Sequence, residues 1–184
     1  VAALGVHPDR ILLASPCKRP KDLRCAADRG IELTAIDTEA ELAKLARWAP
    51  GSRALLRIRA DDPGAPRCQL ASGGSDAGGS SKHGAEAHEW EPLLAAAASL
   101  GVTVAGVAIN VGSSGPGAFA HAVEMARRAW DLGAAHGFPM RVLDLGGGSG
   151  VCAAPKAANA ALAAHFPQDL LPEGELFLAK RDID

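Results

Sequence analysis

Short runs of aliphatic residues alternate with longer stretches of helical periodicity along most of the chain, and this alternation limits the fold more than any other feature. Five runs have the length and apolar content of buried strands: 11–14 (ILLA), 33–36 (LTAI), 54–58 (ALLRI), 102–109 (VTVAGVAI) and 142–145 (VLDL). Helical patterns follow at 21–28, 38–48, 85–100, 117–136 and 157–165. Thr38 and Glu41 have the spacing of a capping box, after which Leu42, Leu45 and Ala46 put an apolar stripe on one helix face. Strands alternating with helices give a parallel sheet, because parallel neighbours need crossovers and the helices supply them. The fold class is therefore α/β. An open doubly wound sheet and a (β/α)8 barrel both satisfy the pattern. A closed barrel takes eight units and about 250 residues, so for 184 residues a barrel reading implies a partial one of about five units, with open edges that favour self-association.

Composition narrows the function classes. The chain is 48% hydrophobic but only 4% aromatic, with no Tyr, so Ala, Leu and Val must build the core. A net charge of −2 gives no basic excess to draw the chain onto nucleic acid. No apolar stretch approaches the roughly 18 residues that cross a bilayer. Cys17, Cys25, Cys68 and Cys152 are scattered without a CxxC pair, and the six His show no metal-ligand spacing, so neither a disulfide framework nor a metal site is indicated. A reducing, cytoplasmic setting fits. Residues 1–5 (VAALG) read as the last turn of a helix whose beginning is missing, as if the chain were cut at the front. Residues 71–81 (ASGGSDAGGSS) read as a flexible Gly/Ser surface loop.

The candidate chemistry lies just after the strands, where parallel α/β folds bind ligands. Asn110, Gly112, Ser113 and Ser114 follow the fourth strand; Asp144, Gly146, Gly147 and Gly148 end the fifth. Glycines there let backbone N–H groups approach a phosphate, and a serine hydroxyl adds a donor. Tight turns between strand and helix explain the same residues. Arg57 and Arg59, both assigned to the third strand, are expected to divide between its faces, so that one guanidinium enters the sheet interior or a barrel lumen. Asp37, Asp61 and Asp144 are its candidate partners. Among the six lysines, Lys18 comes nearest to a position suited to covalent catalysis, but it reads better as a solvated loop residue. No Walker loop, no GxGxxG opening a helix, no HExxH and no GxSxG elbow is present.

Seven segments occur in an order that resembles the eukaryotic-type ornithine decarboxylases and their relatives: 4–18 (LGVHPDRILLASPCK), 36–42 (IDTEAEL), 56–62 (LRIRADD), 81–85 (SKHGA), 106–113 (GVAINVGS), 131–138 (DLGAAHGF) and 143–148 (LDLGGG). The resemblance implies the alanine-racemase-like barrel of an enzyme that uses pyridoxal phosphate (PLP). It makes the whole chain one incomplete cofactor-binding barrel domain, with 71–81 as an insertion and the C-terminal β-domain absent. By position, Gly146, Gly147 and Gly148 with Ser113 would bind the cofactor phosphate. Arg57 matches the family's arginine on the cofactor side. Asn110 stands where the family has a histidine stacked on the pyridine ring, and an amide cannot stack as an imidazole does.

Other departures follow from the same resemblance. The family's Schiff-base lysine would lie before Val1, so no catalytic residue is assigned. Its Glu-Pro-Gly-Arg motif should follow Phe166, where 172–181 reads PEGELFLAKR instead. His83 replaces the usual Phe of Lys-Phe-Gly. The implied activity is a lyase of polyamine biosynthesis, converting L-ornithine to putrescine and CO2, with this stretch inactive by itself. The implied assembly is a homodimer of the longer protein. The alternative is a catalytically dead pseudoenzyme like antizyme inhibitor, in which PLP need not be retained. Such a protein would act by binding an antizyme-like partner through the surface from Cys25 to Trp48.

Overall fold

The computed structural model describes residues 4–59, 75–76, 80–81, 83–110, 116–146, 162, 164–166 and 176–178. In chain order these form β1 (Leu12–Leu13), α1 (Pro20–Ala27), β2 (Leu33–Ile36), α2 (Glu39–Trp48), β3 (Arg53–Ile58), β4 (Ser75–Asp76), β5 (Ser80–Ser81), α3 (Trp90–Ser99), β6 (Thr103–Asn110), α4 (Pro116–Ala135), β7 (Val142–Gly146) and β8 (Leu176–Leu178). Six strands make one sheet in the order β1-β2-β3-β6-β7-β8, every neighbouring pair parallel. The five expected strands are present. The sixth, β8, falls in the 172–181 segment that the sequence pattern left unassigned, and its three residues are too few to show a period. The Gly/Ser stretch 71–81 carries an antiparallel two-strand ribbon, β4 with β5, where only a loop was expected. The expected turn at residues 1–5 lies mostly outside the described residues. The helix expected at 157–165 is described only at 162, 164 and 165, all helical.

The helices start where their first turns can be satisfied. Pro20 occupies the first turn of α1, where its missing N–H costs nothing, and Asp22 accepts a bond from the Arg19 N–H at 3.2 Å. Thr38 caps α2 as expected, its hydroxyl accepting from the Glu41 N–H. One sheet face packs on the helices: Ile36, Leu56, Ile58, Val107, Ile109 and Leu143 meet Leu23, Leu42, Leu45, Leu94 and Val123. Ala97, Ala122, Ala126 and Ala129 are fully buried here. These small side chains explain how an Ala-rich chain poor in aromatics fills its core: the helices lie close to the sheet, and little volume is left for large anchors.

Two constraints hold this sheet in register. An extra residue enters β6, since Ala54 pairs with Val104 and Leu55 with Gly106. Gly106 is thereby pressed against β7, where a Cβ would sit 1.8 Å from the Val142 carbonyl oxygen. Only glycine fits. The second constraint is electrostatic and corrects the reading of Lys18, which is 3% exposed rather than solvated. Its Nζ donates to the carbonyls of Ala35 at 2.5 Å and Ser15 at 3.1 Å, and lies 3.1 Å from Glu41 Oε2. Glu41, equally buried, also pairs with Lys44, whose Nζ donates to the Lys18 carbonyl at 2.8 Å. The cluster ties the loop after β1, the end of β2 and the first turn of α2 together. Sequence alone missed it because a loop lysine followed by Arg and Pro has no apolar context of its own.

Gly106→Ala is expected to lower the unfolding free energy by about 3 kcal/mol, because a methyl group must displace backbone rather than a side chain. A chemical denaturation midpoint within experimental error of wild type would refute the close approach. Glu41→Ala leaves a buried ammonium uncompensated, at a cost of about 3–5 kcal/mol. Burial holds the Lys18 ammonium below its ordinary pKa of 10.5, with Glu41 opposing the shift. The unfolded chain then binds the Lys18 proton more tightly than the folded chain. Stability relative to Lys18→Met should therefore rise with pH between the lowered folded value and 10.5. Paired unfolding curves at pH 7 and 10 check the sign.

Candidate functional site

The other sheet face is built differently. Leu33, Leu55, Ala105, Ala108 and Val142 cluster there with Leu12, all of them strand residues with no helix among them. In a curving parallel sheet this is the lumen side. Strand alternation puts Arg57 on the same side as Leu55, and Asp144 on the same side as Val142. The register Arg57↔Ala108↔Asp144 sets these three in one row across β3, β6 and β7. Asn110↔Gly146 is the next lumen-side row towards the strands' C-terminal ends. The lumen thus runs from an apolar floor through a charged row to a polar rim.

Arg57 is half-buried and Asp144 likewise. Burial pushes the Asp144 carboxyl above the usual carboxylate range, and the Arg57 guanidinium pulls it part of the way back. Of the two described carboxylates expected near the lumen arginine, Asp144 is the one whose charge Arg57 affects. Asp37 instead accepts from the Gly84 N–H at 3.1 Å, and Asp61 lies outside the described residues. The expected division of Arg57 and Arg59 between two faces is corrected. Residues two apart in a strand share a face, and Arg59 lies one residue beyond β3, with its Nη1 3.0 Å from Glu86 Oε1.

The sequence did not foretell how the chain returns to the sheet after the insertion. Ala85 bridges to the end of β3: its N–H donates to the Arg57 carbonyl at 2.9 Å, and its carbonyl accepts from the Arg59 N–H at 3.0 Å. The buried Trp90 indole donates to the same carbonyl at 3.0 Å. Gly84, with φ at +107°, approaches so closely that a Cβ would lie 2.8 Å from the Ile58 carbonyl. The motif SKHGA at 81–85 carried this glycine in plain view, but only the fold shows what it touches. The effect is to fasten the backbone of Arg57 from outside the sheet.

Of the six residues read as cofactor contacts, Asn110 and Gly146 are brought together at the rim and Arg57 stands below them, two strands from β7. Ser113, Gly147 and Gly148 lie outside the described residues. Packing does not require glycine at 146. A Cβ there would make ordinary contacts, 3.5 Å from the Ile109 carbonyl oxygen and 3.8 Å from Asp144 Oδ1. It would also fill space on the lumen side, where a bulky ligand with an anionic group would have to lie, beside the one guanidinium of the row. Small residues at the rim and a fixed cation beneath it fit such a ligand.

Comparison with known proteins agrees with this geometry. Residues 1–171 match the family model described as pyridoxal-dependent decarboxylase, pyridoxal binding domain. The ornithine decarboxylase of Schizosaccharomyces pombe is 41% identical over 150 residues, covering 80% of this chain and 32% of that protein. The chloroplastic ornithine decarboxylase of Nicotiana glauca is 38% identical over 176 residues, 92% of this chain and 39% of that protein. Among solved structures, the arginine decarboxylase of Paramecium bursaria Chlorella virus superposes with a TM-score of 0.80 at 31% identity, covering 95% of this chain and 46% of that one. The chain therefore spans about a third of the length of the curated relatives it matches. With a parallel half-barrel and a family match over nearly its whole length, the chain belongs to the pyridoxal-dependent decarboxylases, as part of their pyridoxal binding domain.

Proposed function

We propose that this chain is the cofactor-holding part of a PLP-dependent ornithine decarboxylase, which releases CO2 from L-ornithine and leaves putrescine. The observation that carries the reading is the lumen arrangement of Arg57 beneath the paired Asn110 and Gly146, in a chain 41% identical to an ornithine decarboxylase. The family match over residues 1–171 supports one barrel domain with 71–81 as an insertion. Bound PLP would supply an electron sink for the charge left as CO2 departs. The protein's share is binding and orientation. Arg57 offers a fixed cation on the lumen face, Gly146 leaves backbone accessible at the rim, and Ser113, Gly147 and Gly148 complete the phosphate contacts by family position. Asn110 can hydrogen-bond but gives the ring no aromatic face.

That substitution favours a second reading, in which chemistry has decayed and the protein acts by binding. The surface from Cys25 to Trp48 would be its contact for an antizyme-like protein. Arg24 and Arg47 both lie 4.8 Å from the centre of the Trp48 ring, which forms a cationic, aromatic patch across α1 and α2. Exposed, unpaired Cys17 and Cys25 suit a reducing cytoplasm. Among the described residues no helix is long and apolar enough to cross a membrane. The longer protein would assemble as a homodimer.

PLP titration followed by absorbance and quenching of Trp fluorescence separates the readings. Micromolar binding is expected, weakened about tenfold by Arg57→Ala and strengthened by Asn110→His, which restores a stacking surface. Release of labelled CO2 from ornithine by the protein that carries this domain supports the enzyme. PLP binding without CO2 release, together with capture of antizyme, supports the binding protein. No PLP binding at any pH between 5 and 9 overturns the cofactor assignment.

A further inference from the structure

β2 ends at Ile36, whose partner on β3 is Leu56, yet β3 runs on to Ile58 with its other edge held by β6 as far as Ile58↔Ile109. Ala85 takes up the edge that β2 leaves. It forms a parallel bridge with Ile58, its N–H donating to the Arg57 carbonyl at 2.9 Å and its carbonyl accepting from the Arg59 N–H at 3.0 Å. Two bonds from one residue are few, so the segment must be gripped on both sides. From the C-terminal side the Trp90 indole donates to the Ala85 carbonyl at 3.0 Å. From the N-terminal side the grip is Asp37, the first residue beyond β2, whose Oδ2 accepts from the Gly84 N–H at 3.1 Å. Asp37 directly precedes Thr38, the cap of α2, where a carboxylate ordinarily serves the first turn of its own helix. Here it reaches a backbone amide 47 positions on.

We propose that Asp37 is a positioning residue for Arg57: its carboxylate seats Gly84 and Ala85 against the end of β3, and this splice fixes the backbone that carries the Arg57 side chain. The inference rests on the reading of Arg57 as a PLP contact and adds the group that keeps it in place. Strand ends open more readily than strand middles. A binding group whose support is loose also loses the geometry on which its affinity depends. Gly84 makes the seat possible. With φ at +107°, it lies so close to β3 that a Cβ would stand 2.8 Å from the Ile58 carbonyl and 2.9 Å from the Arg59 nitrogen. A glycine can make this approach, and the Asp37 carboxylate holds it there.

The test is a double-mutant cycle on PLP affinity, measured on the protein that carries this domain. Asp37→Ala should weaken PLP binding about 3- to 10-fold, the worth of one hydrogen bond. In the Arg57→Ala background the same substitution should cost less than about twofold, because the group it positions is gone. Asp37→Asn keeps an oxygen that can accept from Gly84 and should stay within about twofold of wild type. Amide exchange reads the splice without PLP: Asp37→Ala should speed exchange of the Ala85 and Arg59 amides about tenfold or more and leave the middle of β6 unchanged. If Asp37→Ala does not fold, Asp37→Ser, too short to reach Gly84, replaces it in the cycle. If that variant fails as well, Asp37 serves the fold as a whole and the positioning role is overturned. An equal loss of affinity with and without Arg57, an Asn variant as weak as Ala, or unaltered exchange at Ala85 and Arg59 overturns the positioning role and leaves PLP binding intact. Failure of wild type to bind PLP overturns the cofactor assignment itself and the positioning role with it.

Discussion

The contact between Gly106 and the Val142 carbonyl is the point on which the rest of the sheet depends. β6 runs through the middle of the sheet and gains one residue relative to β3, so its backbone is displaced towards β7 at that position. A side chain there would separate the two strands. The consequences reach upward along both. With the strands in register, Ala108 stands opposite Asp144 and Asn110 opposite Gly146. A slip of one residue would move Asp144 to the helix-covered face, among Val107, Ile109 and Leu145. Shape in the core thus decides which groups reach the lumen.

The molecule treats its interior charges in two ways. Lys18, Glu41 and Lys44 are packed between a loop, a strand end and a helix start, with the Lys18 ammonium donating to backbone carbonyls and both lysines paired to Glu41. That cluster is saturated and serves as a fastening. Arg57 and Asp144 lie on the lumen face, in one row with Ala108 above an apolar floor, with the guanidinium opposing but not cancelling the effect of burial on the carboxyl. The fastening at Lys18 and the bridge of Ala85 to β3 both act near the C-terminal ends of the strands.

Much of this was legible from sequence. The apolar runs and helical stretches gave five of the six strands and the parallel sheet, because hydrophobic periodicity is a local property of the chain. The Thr38 cap was readable for the same reason, and the ordered motifs from Leu4 to Gly148 led to the family. β8 was not readable, since three residues stand as a strand only when β7 lies beside them. Lys18 was read as solvated because burial is decided by what folds over a residue, here Glu41 from 23 positions on. Asp144 could be suspected as a neighbour of Arg57 but could not be chosen over Asp37 without the register.

By itself, then, the sequence determined the α/β class, the order of the elements, the family and the residue types gathered at the strand ends. Each of these depends on spacing of a few residues or on motifs that survive as strings. Only the tertiary structure decided that Gly106 is a packing necessity while Gly146 is not, that Asp37 serves Gly84, and that Arg57 shares its row with Asp144. Those facts belong to pairs of residues far apart in the chain, and the distance between two strands is set by everything packed around them.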